Sequence, residues 1–125
     1  FPANLKEIGI GAFWDSGLEN VTFEEGSHLE VIRDKTFTKC EKLKVVTLPS
    51  GVKEIGAWAF RGTGLEKVIF EEGSELEKIG GDAFQESQNL KSIMIPPGIE
   101  IVWSAFKETG CPEDIFTPGA TIVDC

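Results

Sequence analysis

The chain has no tyrosine, one histidine, one methionine and three cysteines in 125 residues. The single histidine, His28, precedes Leu29 in a stretch that reads as a turn. No Cys-His or Ser-His-Asp set can be assembled around it, so neither a nucleophilic triad nor a zinc site is supported. Basic residues are also few: 12 Lys and Arg stand against 21 Asp and Glu, for a formal charge of −9 and a pI of about 4.6. That balance argues against nucleic acid or an anionic membrane as partner, because both need clustered cations. The plain reading of the acidity is solubility. No run approaches the ~18 apolar residues of a membrane-spanning helix, and the stretch from Phe1 reads as the middle of a repeat, so targeting signals are expected to lie outside it. The glycines are scattered at turns and form no phosphate-binding motif. Glu24-Glu25 and Glu71-Glu72 lack the dense oxygen-ligand loop of a calcium site and read as solvated turns. No cofactor or metal is expected, and no catalytic residue.

What the chain does have is repetition. Phe13, Phe37, Phe60, Phe84 and Phe106 recur every 22 to 24 residues. Each closes a phrase such as Ile55-Gly56-Ala57-Trp58-Ala59-Phe60 or Ile79-Gly80-Gly81-Asp82-Ala83-Phe84. A fixed period in this range is the signature of a solenoid, in which each repeat buries its apolar face against its neighbours. A second phrase follows each Phe: Leu18-x-x-Val21-x-Phe23, Leu43-x-x-Val46-x-Leu48, Leu65-x-x-Val68-x-Phe70 and Leu90-x-x-Ile93-x-Ile95. Its alternation predicts a short strand with one buried face. Pro49, Pro96 and Pro118, and the turns Glu24-Glu25-Gly26-Ser27 and Glu71-Glu72-Gly73-Ser74, end these strands. The strands should lie side by side as a parallel sheet, ~4.8 Å apart, with the Phe side chains as an internal ladder. Glycine and β-branched residues in the first phrase predict an extended or turn-like opposite side without helices. A small residue sits three places after each Phe: Ser16, Cys40, Thr63, Ser87 and Thr109. Its hydroxyl can bond the turn backbone in a narrow space.

The repeats alternate in type. Leu5 and Val52, Phe13 and Phe60, Leu29 and Leu76, and Phe37 and Phe84 are each 47 residues apart. That double period points to duplication of a two-repeat unit. We read one domain over 1–125, with about five repeats near 5–28, 29–51, 52–75, 76–98 and an atypical 99–125. Phe1 to Ile8 reads like Leu48 to Ile55, so the chain is expected to be part of a longer array. Near the C-terminus, the segment around Ile115 is expected to supply the last strand, with Ile115 matching Ile93.

These phrases resemble the BspA-like, or Treponema-type, leucine-rich repeats. Leu90-Lys91-Ser92-Ile93-Met94-Ile95-Pro96, Ala59-Phe60 and Thr36-Phe37-Thr38-Lys39-Cys40 carry the likeness, which runs to about Phe106. Arg33 and Trp103 depart at the glycine position, Thr36 at the alanine position, and hydroxyl residues replace four of five cysteines. The resemblance implies a right-handed curved leucine-rich-repeat superhelix with its parallel sheet on the concave face. It also implies an extracellular, cell-surface setting, and in some members adhesion to host matrix proteins.

The outward strand positions should line the concave face. The central row is Thr22, Thr47, Ile69, Met94 and Phe116; beside it run Asn20, Val45, Lys67, Ser92 and Asp114. The central row turns apolar toward the C-terminus, which suggests a protein-binding patch of Ile69, Met94 and Phe116 with Lys67 and Ser92 alongside. The expected function is non-enzymatic protein binding or adhesion. Two rivals are a structural spacer and a carbohydrate-binding module, the latter through Trp14, Trp58 and Trp103. The open solenoid ends offer a route to self-association. Cys40 fills the family's buried turn position. Cys111 and Cys125 lie outside the repeats and are candidates for a disulfide that staples the C-terminal end. One free thiol in the denatured protein would support the staple, and three would remove it.

Overall fold

The structure is a computed structural model that describes residues 1–90, 92–93, 95–96, 98–102, 104–109 and 123–124. Its described strands are β1 (Glu7–Ile8), β2 (Val31–Ile32), β3 (Val45–Leu48), β4 (Glu54–Ile55), β5 (Lys67–Phe70), β6 (Lys78–Ile79), β7 (Ser92–Ile93), β8 (Glu100–Ile101) and β9 (Val123–Asp124). No helix occurs among the described residues. The strands form two sheets, one with the order β1-β2-β4-β6-β8 and the other β3-β5-β7-β9. The first sheet is parallel throughout, and its register sets Ile8, Ile32, Ile55, Ile79 and Ile101 in one row. This is a parallel-strand solenoid, as the period predicts.

Each first-phrase strand is two residues long because only one inward residue fits before the turn. In β1, β4 and β6 a charged residue points out and an isoleucine points in. β3 shows the longer second-phrase alternation, with Val46 and Leu48 buried and Val45 and Thr47 exposed. The first phrase therefore builds a second sheet of its own, where the sequence predicts only extended or turn-like backbone.

The core is a stack. Phe13, Phe37, Phe60, Phe84 and Phe106 lie ring on ring at 5.6, 5.2, 5.3 and 5.1 Å, with interplanar angles of 14° or less. Phe37, Phe60 and Phe84 are fully buried. The backbone locks this stack as well. The amides of Phe13, Phe37, Phe60 and Phe84 donate to the carbonyls of Thr36, Ala59, Ala83 and Ala105 in the following coil at 2.7–2.9 Å.

The turn around each Phe bends through left-handed residues. Lys35, Trp58 and Asp82 stand two places before a Phe, and Asp15, Lys39, Glu86 and Glu108 two places after one, all at φ of 55–62°. Gly11 and Gly62 hold equivalent places. Left-handed backbone costs a non-glycine residue of order 1 kcal/mol. The interlocked coils hold it there.

The small residues after the Phe turns form paired hydrogen-bond relays. Ser87 Oγ donates to the Phe60 carbonyl at 2.7 Å. Its one proton is thus used, so the 2.8 Å contact between Thr63 Oγ1 and Ser87 Oγ has Thr63 as donor. Thr63 Oγ1 then accepts from the Leu65 amide at 3.3 Å. One two-coil unit earlier, Cys40 Sγ donates to the Phe13 carbonyl at 3.1 Å. Ser16 Oγ lies 3.4 Å from that sulfur, and the Leu18 amide donates to Ser16 Oγ at 3.5 Å. The two relays match group for group, and the hydroxyl role read from sequence is what the structure has. Cys40→Ser should therefore cost under about 1 kcal/mol, whereas Ser87→Ala strands buried Thr63 and Phe60 groups and should cost about 1–3 kcal/mol. Urea unfolding of the two variants checks the difference.

The 47-residue period is physical elsewhere too. Ser27 Oγ accepts the Leu29 amide at 3.2 Å, and Ser74 Oγ the Leu76 amide at 3.3 Å. The Glu24 amide donates to the Phe1 carbonyl and the Glu71 amide to the Leu48 carbonyl, both at 3.1 Å. Phe1 thus takes the place that Leu48 takes in the second unit. Thr36, at an alanine position, is fully buried and holds the Arg33 carbonyl at 2.8 Å.

At the C-terminal end the four-stranded sheet changes from parallel to antiparallel pairing. β7 pairs with β9 in antiparallel register, Ser92 opposite Asp124 and Ile93 opposite Val123. The place beside β7 belongs to Val123–Asp124. A chain that reverses direction can reach this edge antiparallel, where the regular path would bring it in parallel. Ile115, Cys111 and Cys125 lie outside the described residues, as does the disulfide considered for the two cysteines.

Candidate binding face

The four-stranded sheet brings most of the expected face together. Thr47 lies opposite Ile69, Val45 opposite Lys67, and Lys67 opposite Ser92. The bridge between Val21 and Val46 carries the same register into the first coil, which puts Thr22 beside Thr47 and Asn20 beside Val45. Thr22, Asn20, Thr47 and Lys67 are exposed. Met94, Asp114 and Phe116 lie outside the described residues.

The apolar emphasis shifts relative to the sequence reading. Ile69 is half-buried, flanked by β3 on one side and β7 on the other. Among the described residues of this face, Val45 is the exposed large apolar side chain, at 47%. It was read as a secondary position. Alternation alone marks it as outward but does not tell how far its neighbours cover it.

Charge is divided along the strand direction. Near the N-terminal ends of β3 and β5 exposed Lys42, Lys44 and Lys67 stand among exposed Glu19, Glu41 and Glu66. Past the C-terminal ends stand exposed Glu24, Glu25, Glu71, Glu72 and Glu75, with no cation among them. A recess of about 600 Å3 opens at this mixed-charge end, lined by Glu19, Asn20, Glu41, Lys42, Lys44 and Val45. None of these three lysines forms an ion pair among the described residues.

The ion pairs lie elsewhere. Arg33–Glu7 (2.9 Å), Lys53–Glu30 (3.3 Å) and Arg61–Glu86 (3.3 Å) each join successive coils. All six side chains are well solvated, so each pair contributes little. The hydrogen bond to Glu7, and then its charge, push the Arg33 guanidinium above its already high ordinary pKa.

Trp14 and Trp58 sit on the Phe-turn side, not on this sheet. The Lys35 ammonium lies 5.6 Å from the Trp14 ring centroid and 4.7 Å from that of Trp58. Arg61 is 5.8 Å from Trp58, whose indole N–H donates to Asp82 Oδ2 at 2.8 Å. Trp58 is thus engaged on its faces and its edge by the protein's own groups. Trp14 is half exposed, beside the exposed Ile10 of its coil. Sequence spacing gave Trp14 and Trp58 as non-equivalent, and it is Lys35 between them that makes one cluster. Trp103 lies outside the described residues.

Stacked coils, an inward Phe ladder and outward strand residues define a leucine-rich-repeat solenoid. The family described as BspA type leucine rich repeat region matches residues 6–123 in six copies. The chain belongs to that family. Among solved structures, it is similar to the pneumococcal vaccine antigen PcpA, with 31% identity and a TM-score of 0.81 over 86% of this chain and 27% of that one. It is also similar in fold to a leucine-rich repeat protein from Bacteroides ovatus, at 23% identity and a TM-score of 0.56, over 88% of this chain and 40% of that one. The chain thus spans well under half the length of either structure. A search of curated proteins gave no match.

Proposed function

We propose that this solenoid is a non-enzymatic protein-binding module of a cell-surface protein, and that it meets its partner through the outward face of the four-stranded sheet. The carrying observation is the register that gathers Thr22, Thr47, Ile69, Val45 and Lys67 on one face. A solenoid of this kind offers a broad surface built on a rigid core, which suits protein partners better than small molecules. The extracellular setting is supported by the family and by the likeness to a pneumococcal vaccine antigen. A partner among host extracellular matrix proteins, or another surface protein, follows from the family expectation.

The test is a binding screen of the chain against immobilised extracellular matrix proteins and mucins, beside a Thr47→Glu, Ile69→Glu variant that still melts cooperatively. Two buried charges at a contact should weaken binding by about 2 kcal/mol or more, roughly thirtyfold. Binding that is equal in both proteins would contradict the assignment of the face. Absence of binding by either would favour a structural spacer.

A further inference from the structure

We infer that Asn20 is an acceptor of an N-linked glycan, which would stand on the outward face of the four-stranded sheet beside Val45. The inference rests on the extracellular setting proposed above, because this modification belongs to the secretory route.

Asn20-Val21-Thr22 has the form Asn-x-Thr, the acceptor sequence for N-glycosylation when the middle residue is not proline. The other asparagines, in Asn4-Leu5-Lys6 and Asn89-Leu90-Lys91, lack the hydroxyl residue. Three letters are a weak signal by themselves, and the fold decides whether they can be used. Asn20 and Thr22 are both exposed, on either side of the buried Val21. Neither the Asn20 amide nor the Thr22 hydroxyl has a hydrogen-bond partner among the described residues. Val21 meets β3 through a single bridge to Val46, whereas β3 pairs with β5 over four residues, so the acceptor stretch is held by fewer ladder contacts. Its openness is not an effect of lying in the first coil. Val45 takes the same place in the second coil, with a chain segment on each side, and is 47% exposed.

The surroundings of Asn20 fit a sugar. Asn20 lines the recess of about 600 Å3 together with Glu19, Glu41, Lys42, Lys44 and Val45. Charges of both signs select no charged ligand, but carboxylates accept from sugar hydroxyls and ammonium groups donate to them. Val45 offers an apolar surface to the C–H face of a ring. The covalent link supplies the selectivity that this lining lacks.

In the transfer, Asn20 Nδ2 attacks the anomeric carbon of an oligosaccharide carried on a polyprenyl pyrophosphate. The N–C bond forms and the C–O bond to the pyrophosphate breaks. The polyprenyl pyrophosphate leaves with the electron pair, and Nδ2 gives up one proton to the transferase. No oxidant or reductant is needed.

The test is secretion of the full chain from yeast cells behind a cleavable signal sequence, followed by intact mass spectrometry before and after peptide N-glycosidase. The parent should carry the mass of an oligosaccharide, which the glycosidase removes while converting the Asn20 amide to an acid. Asn20→Gln and Thr22→Ala should abolish the added mass, and Thr22→Ser should retain it. Both positions are exposed, so all three variants should melt as the parent does. A secreted, cooperatively melting parent without added mass would overturn the inference, as would added mass that survives Asn20→Gln. Chain made in bacteria without a glycan tests the contact face separately. If its binding to matrix proteins is lost in the Thr47→Glu, Ile69→Glu variant while Asn20 stays unmodified in yeast, the glycan falls and the contact face stands.

Discussion

Phe60→Ala should destabilise the protein by about 4–5 kcal/mol, the upper range for truncating a buried aromatic ring. Phe60 is fully buried between Phe37 at 5.2 Å and Phe84 at 5.3 Å. Its removal leaves a void, and each lost ring pair takes away a further ~0.5–1.5 kcal/mol. Because coils contact only their neighbours, the gap uncouples the solenoid on its two sides. The melting temperature should fall by on the order of 15 °C. Phe13→Ala is the comparison. Phe13 is only half-buried, stacks flat on Phe37 and meets Phe1 edge-on. It should cost about half as much. Equal melting temperatures for the two variants would contradict the ladder as the main source of stability.

Gly64→Ala should be the most damaging single-methyl addition in the chain. A Cβ at residue 64 would run into the Glu41 carbonyl oxygen and come within 3.2 Å of the Leu43 carbonyl oxygen. Both are backbone atoms of the neighbouring coil and cannot swing aside. We expect a loss of about 3 kcal/mol, at the upper end for overpacking. Gly17 holds the equivalent place 47 residues earlier, and a Cβ there meets nothing within 4 Å. Gly17→Ala should be within about 0.5 kcal/mol of the parent. Chemical denaturation of the pair reads the difference directly, since both substitutions have the same intrinsic propensity cost. A similar loss at both positions would mean that the coils are not packed as closely as described.

Much of this was legible in the sequence because a solenoid repeats its physics. The Phe period gave the ladder, the Val-x-Phe and Val-x-Leu phrases gave the four-stranded sheet, and the small residues after each Phe gave the relays. The 47-residue period has its counterpart in the matched pairs Ser16–Cys40 and Thr63–Ser87, a pairing across coils that spacing alone did not announce. The five-stranded sheet was harder to see. Its strands are two residues long, and a pair such as Glu54–Ile55 shows no alternation to read. The left-handed residues flanking each Phe were also hidden, because Lys35, Trp58 and Glu86 occupy places where glycine would have been the signal. Alternation marked the outward positions of the four-stranded sheet but not their degree of exposure. Val45 and Ile69 are both outward β-branched residues, yet Val45 is exposed and Ile69 half-buried. The reversed β9 had no cue, since local pattern does not report strand direction.

The central claim is that the coils stack in register on the Phe ladder, so that the outward strand residues form one continuous rigid face. Native-state amide hydrogen exchange, followed by NMR, tests it most directly. The Phe37 and Phe60 amides donate across coils at 2.7 Å from positions that are fully buried. They should exchange only through global unfolding, while Gly26 and Gly73, in exposed turns, should exchange orders of magnitude faster. Phe37 and Phe60 amides that exchange as fast as those turn glycines would contradict the stacked solenoid and the face built on it.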